Sequence, residues 1–226
     1  MTYLFDQSKI KTDLTNYFTK ENARLRDFGN SVNQTFEAYV FTGVIKWYKS
    51  RKWKVIIVNP TSGQFKNQFR LKFTTRGAPV NFSYAEIKKG NQKFQIRHQL
   101  RISTKSYKTK NIKSANICCD VAIIENLDLT NYKTYFAVPN NHLIAFGEAK
   151  HMSAYAELIA SFIGMVHELT PTKLKRTRTK KWKRKDHISP FLYVSGNLYS
   201  TAEGLLETII QRKYDLDIYS HSKPLI

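Results

Sequence analysis

Cysteine is nearly absent. The two present, Cys118 and Cys119, are adjacent within one apolar run, so they form no disulfide framework and offer no zinc-ligand spacing. A reducing, intracellular setting is expected, cytoplasmic or, in a eukaryote, nuclear. The histidines are scattered at positions 98, 142, 151, 167, 187 and 221, with no pair at metal-binding spacing. No apolar run approaches membrane-span length, and Asp6, Lys9 and Lys11 interrupt the first turns, so neither a span nor a signal peptide is expected. A glycine-rich loop followed by lysine is missing, as is a Gly-x-Ser-x-Gly elbow, which removes nucleotide-cradling and serine-hydrolase schemes. Acidic residues are also scarce, 17 against 37 lysines and arginines.

That imbalance leaves a formal charge of +20 and an isoelectric point near 9.9 on 226 residues. A polyanionic partner follows, and without a membrane signal nucleic acid is the better candidate. A hydrophobic content of 42% with 13% aromatics suits one globular domain over residues 1–226. Residues 1–28 read as an amphipathic helical extension. A second helix is predicted from Ser31, with Gln34 completing a capping box, to Tyr48. Glu37 shares its apolar face with Val40, Phe41, Val44 and Tyr48. A buried carboxylate needs a partner, so Glu37 is either salt-bridged to a lysine or a metal ligand.

Period-two patterns predict strands over Trp53–Val58, Phe69–Thr75, Val80–Ile87 and Gln92–Ser103, with a hairpin turn at Lys88-Lys89-Gly90-Asn91. In the last strand Phe94, Ile96, His98, Leu100 and Ile102 form one face, leaving Gln95, Arg97, Gln99 and Arg101 as a face that could meet phosphates. Residues 126–141 read as an irregular excursion. A helix follows from a Ser153 cap to a stop at Pro171, with His151 as a phosphate contact or helix cap. Beyond it, nine cations fall within thirteen residues: Lys173, Lys175, Arg176, Arg178, Lys180, Lys181, Lys183, Arg184 and Lys185, interrupted by Trp182. Such a run cannot pack as a core, so residues 173–186 read as a basic loop contacting nucleic acid, with Trp182 stacking on a base. A strand over Ile188–Ser195, a helix capped by Ser200 with Glu203, and an edge strand over Asp215–Tyr219 complete the chain.

The chemistry concentrates in two apolar runs that carry charge at one end: Ile117 to Ile124 with Asp120, and Leu143 to Lys150 with Glu148. Buried strands normally avoid charge. Alternation puts Glu148 and Lys150 on one face with Phe146 and Ile144, and a neighbouring Asp120 strand adds a second carboxylate. Two carboxylates and an ammonium suit a hard divalent cation and phosphodiester hydrolysis.

Asp120, twenty-seven intervening residues, then Glu148-Ala149-Lys150 resembles the signature of the PD-(D/E)xK nuclease superfamily, across residues 30 to 213. Cys119 stands where the family name has proline, and the helix after Lys150 lacks the Gln-x-x-x-Tyr element of the exonuclease branch. The resemblance implies an α/β, restriction-endonuclease-like mixed sheet flanked by helices. It implies Mg²⁺, or Mn²⁺, held by Asp120, Glu148 and the Ala149 carbonyl, with Lys150 orienting the attacking water and Glu37 as the family's helical glutamate. A metal-dependent endodeoxyribonuclease is therefore expected, acting in host defence or a mobile element, with DNA ahead of RNA as substrate. Two-strand cleavage by a one-site chain favours a homodimer or a partner protein. The alternative is a non-catalytic nucleic-acid-binding subunit.

Overall fold

The computed structural model describes Thr12 and residues 32–105, 115–130, 137–175 and 186–225. The helix expected over 1–28 and the Ser31 cap lie outside these residues. Helix α1 spans Val32–Ser50. Its Phe36, Val40, Phe41, Val44, Ile45 and Tyr48 are each at most 2% exposed, as the apolar periodicity requires. Each such side chain contributes roughly 1.5–3 kcal/mol of burial energy.

The chain then builds β1 (Lys54–Val58), β2 (Tyr84–Lys89), β3 (Gln92–Ser103), β4 (Asn116–Glu125) and β5 (Leu143–Lys150). These pair antiparallel in sequence order. The β2–β3 turn falls where expected, with Gly90 at φ +56° supplying the left-handed step. After β5 the connections become helical crossovers: α2 (Ala156–Leu169) leads to β6 (Phe191–Val194), and α3 (Ser200–Gln211) leads to β7 (Asp217–Tyr219). Both added strands therefore lie parallel to their neighbours. The result is a mixed seven-stranded sheet in the order β1 to β7. Helix α1 covers one face with Ile96, Val121, Ile123, Ala145 and Phe191. Helices α2 and α3 cover the other with Ala122, Ile124, Phe146, Leu192 and Ile218. Among the described residues no helix is long and apolar enough to cross a membrane.

Four expectations need correction. Residues 69–75 form no strand. Phe69 and Leu71 fill the α1-side core, while the Ser83 amide donates to the Arg70 carbonyl at 2.7 Å and the Arg70 amide donates to Ser83 Oγ at 2.9 Å. Pro79 opens a short 3₁₀ turn over Pro79–Asn81, so β2 starts later than predicted. The face carrying Gln95, Arg97 and Gln99 is buried, not offered to phosphates: Arg97 donates to Gln95 and to the Pro79 carbonyl and stacks on Tyr84. Neither Ser153 nor Ser200 caps its helix. The N-caps are Tyr155 and Tyr199 without side-chain cap bonds, because Ala154 and Leu198 extend the β5–β6 pairing by one bridge before the helices begin. Gly196 permits that approach, since a Cβ there would lie 2.4–2.8 Å from Ser153.

Candidate active site

The site lies where β4 and β5 part. Their register ends at Val121 opposite Gly147, leaving Asp120 and Glu148 beyond the last pair. Side-chain bonds replace the missing ladder. The Ala149 amide donates to Asp120 Oδ2 at 2.9 Å, and the Asp120 amide donates to Glu148 Oε1 at 3.4 Å. Lys150 Nζ closes the group, 3.1 Å from Asp120 Oδ2 and 2.9 Å from Glu148 Oε2. The predicted Asp120, Glu148, Ala149 and Lys150 are thus brought together. The predicted face loses one member: Ile144 is the extra residue of a bulge between the Ile123 and Ile124 pairings and packs on the α1 side, opposite Phe146.

Both carboxylates are 5% exposed, whereas the Lys150 side chain is 39% exposed and forms the solvent side of the group. Burial first, then the Asp120 charge, pushes the Glu148 carboxyl up to about 8, against the pull of Lys150. Burial works against the Lys150 ammonium, but Glu148 and Asp120 outweigh it and hold its pKa above the ordinary lysine value.

Glu37 reaches this group through Gln99. Gln99 Nε2 donates to Asp120 Oδ1 at 2.7 Å and to Glu37 Oε2 at 3.1 Å, while Cys118 Sγ donates to Gln99 Oε1 at 3.3 Å. Glu37 Oε2 also lies 3.4 Å from His98 Nε2, and the other ring nitrogen of His98 meets the Lys72 carbonyl. Burial raises the pKa of Glu37, yet His98, Gln99 and Lys150 together bring it below the ordinary value. Glu37 thus meets His98 and Gln99 at close range, and its link to the carboxylate pair runs through Gln99.

Neither His98 nor Gln99 was singled out as a site residue from sequence. The reason is a backbone irregularity. Gln99 sits at φ +51° in mid-strand, a left-handed conformation uncommon for a side-chain-bearing residue. Alternation breaks there: Ile96 packs on the α1 side, but Leu100 and Ile102 pack under α2 and α3. Strand β4 slips opposite it, with Cys119 on the same side as Ala122 and Ile124. Consecutive residues His98 and Gln99 consequently both reach Glu37. The available signal in the sequence was a histidine on an otherwise apolar face.

A left-handed residue and buried charge meet at this one point, which makes it the candidate functional region. Among the described residues, no three His, Cys, Asp or Glu side chains are grouped to hold a metal by themselves. The donor chemistry nevertheless fits a hard divalent cation. Two carboxylates converge on one ammonium, and burial with the Asp120 charge raises the pKa of Glu148, so a further cation beside it would favour its ionised form.

The basic segment is partly described. Lys173 pairs with Asp215 at 2.6 Å, and Lys175 is exposed. Arg176, Arg178, Lys180, Lys181, Trp182, Lys183, Arg184 and Lys185 lie outside the described residues. His151 caps no helix and instead bonds Ser195 Oγ through Nδ1 at 2.7 Å. Comparison of the chain with protein-family models, with curated proteins and with solved structures found no match.

Proposed function

We propose that the chain is a divalent-metal-dependent endonuclease of the restriction-endonuclease-like kind, hydrolysing phosphodiester bonds in nucleic acid, DNA ahead of RNA. The observation that carries this reading is the convergence of Asp120 and Glu148 on Lys150 at the parting of two strands. The +20 charge supports a polyanionic substrate. The order of α1, an antiparallel Asp120–Glu148 strand pair, α2 and a parallel β6 is consistent with the fold that the motif implies.

Asp120 and Glu148 would hold Mg²⁺ or Mn²⁺, with Ala149 supplying its carbonyl. When bound, the ion supplies polarisation of the scissile phosphate and acidification of water. The residues of the chain do the rest. Lys150, exposed at the mouth, orients the attacking water and offsets negative charge developing on the phosphate oxygens. Gln99 fixes the Asp120 carboxylate so that its second oxygen stays on Ala149 and Lys150. Glu37, beside His98, accepts from Gln99 and supports it.

One observation favours the rival reading, a nucleic-acid-binding subunit without cleavage: Lys150 already satisfies both carboxylates. Lys150→Ala decides between them. On the nuclease reading it abolishes cleavage of a labelled DNA duplex and leaves duplex affinity within about twofold. Equal loss of both activities would remove the role given to Lys150, and wild-type binding unaffected by Mg²⁺ or EDTA, without cleavage, would establish the rival.

A further inference from the structure

The connection between β1 and β2, residues 59–83, forms an open cleft of about 490 Å³. Its lining includes Arg70, Arg76, Phe65, Phe82, Thr74 and Asn81, and no Asp or Glu. That volume falls within the range of small-molecule sites, roughly 300–1,000 Å³, and greatly exceeds an inorganic anion. Two guanidiniums without an acid in the wall select an anionic ligand. Among the described residues neither arginine forms a salt bridge.

The cavity is built rather than incidental. The Arg70 guanidinium carbon sits over Phe65, 3.8 Å from the ring centroid, and 5.1 Å from that of Phe82. Its backbone is fixed on both sides by Ser83, whose Oγ accepts from the Arg70 amide at 2.9 Å. A guanidinium held over a ring by its cation–π contact keeps a planar fork of N–H donors, which can grip a phosphate with two bonds. Gly77 shapes the wall: it holds φ +96°, and a Cβ there would fall 2.9 Å from the Phe82 ring. The remaining surface suits a flat ring with polar edges, since Phe65 and Phe82 give apolar faces while Thr74 and Asn81 offer a hydroxyl and an amide.

We propose that this cavity binds a nucleoside phosphate, the phosphate on Arg70 and Arg76 and the base against the phenyl rings. The ligand is either a free nucleotide or one unit of a nucleic-acid strand. The same segment packs Phe73 on His98, with ring centroids 5.0 Å apart. None of Asp120, Glu148 and Lys150 lines the cavity.

The test is calorimetric titration of the full chain in EDTA with inorganic phosphate, dAMP, a five-nucleotide single strand and a phosphoserine peptide. Four proteins are compared: wild type, Arg70→Gln/Arg76→Gln, Asn81→Trp and Asp120→Ala. Asn81 and Arg76 are exposed and Arg70 is half-buried, and Asn81→Trp fills the cavity while keeping both arginines, so it tests the site without removing the Arg70 contact with Phe65. The expected result is dAMP binding at least tenfold tighter than phosphate. Affinity should fall at least tenfold in the double variant and in Asn81→Trp and stay unchanged in Asp120→Ala. A strand that binds tighter than dAMP with the same variant pattern assigns the site to the polymer; equal affinities assign it to the free nucleotide. Equal dAMP affinity across all four proteins, phosphate binding as tight as dAMP, or preference for the phosphoserine peptide would each overturn the proposal. Because Asp120→Ala cannot cleave on the nuclease reading, failure of that reading leaves this outcome untouched.

Discussion

Replacing Glu148 by Gln should stabilise the protein, and increasingly so as pH rises. The side chain is buried beside Asp120, and its carboxyl is pushed from an ordinary 4.5 up to about 8, by burial first and then by the Asp120 charge. Between those values the unfolded chain has released the Glu148 proton while the folded chain still holds it. Folding stability therefore falls with rising pH across that window and levels off above 8. At roughly 1.4 kcal/mol per unit the full effect is at most about 5 kcal/mol, and relaxation of the site reduces it to the order of 3. Glutamine keeps the shape and cannot ionise. Urea unfolding in EDTA at pH 5 and pH 9 measures the difference: the variant should exceed wild type by under about 1 kcal/mol at pH 5 and by roughly 3 at pH 9. A stability difference that does not change between the two pH values would refute the reasoning.

The same burial makes metal binding proton-linked, so Mn²⁺ should raise the melting temperature of wild type more at pH 8.5 than at pH 6 and leave Glu148→Gln nearly unmoved; an equal shift at both pH values would contradict this. Gln99→Leu removes the amide that donates to both Glu37 and Asp120 while keeping the volume. It should lower cleavage and Mn²⁺ affinity roughly 10–100-fold with duplex binding unchanged, and Gln99→Asn should recover neither if reach is what matters. Gly147→Ala would bring a Cβ within 2.1 Å of the buried Phe191 ring, so chemical unfolding should show a loss of roughly 1–3 kcal/mol or more; an unchanged midpoint would mean the ring moves freely.

The parts of the fold that depend on local pattern were legible. The apolar stripe of α1, the β2–β3 hairpin, the Asp120 and Glu148 strands and the α2 stripe all follow from periodicity and turn residues. Asp120, Glu148 and Lys150 were legible for a related reason: charge inside a buried strand needs a purpose. What escaped depends on distant packing or on a single dihedral. Phe69 and Leu71 read as strand residues because they are buried, yet the backbone there is held by Ser83 and the core, not by a ladder. Arg97 read as surface because it is charged, but stacking on Tyr84 and a carbonyl acceptor at Pro79 make its burial tolerable. The left-handed turn at Gln99 reverses the strand's faces with no glycine to announce it, which hid both His98 and Gln99 from any period-two reading.

The most direct measurement is incubation of wild type and Asp120→Ala with supercoiled plasmid, linear duplex, single-stranded DNA and RNA, each with Mg²⁺, Mn²⁺ or EDTA. The expected result is cleavage of DNA by wild type in either metal, its loss in EDTA and its loss in Asp120→Ala. Cleavage that persists in Asp120→Ala or in EDTA, or salt-sensitive binding in both proteins with no strand broken under any condition, would contradict metal-dependent hydrolysis at the meeting point of Asp120, Glu148 and Lys150.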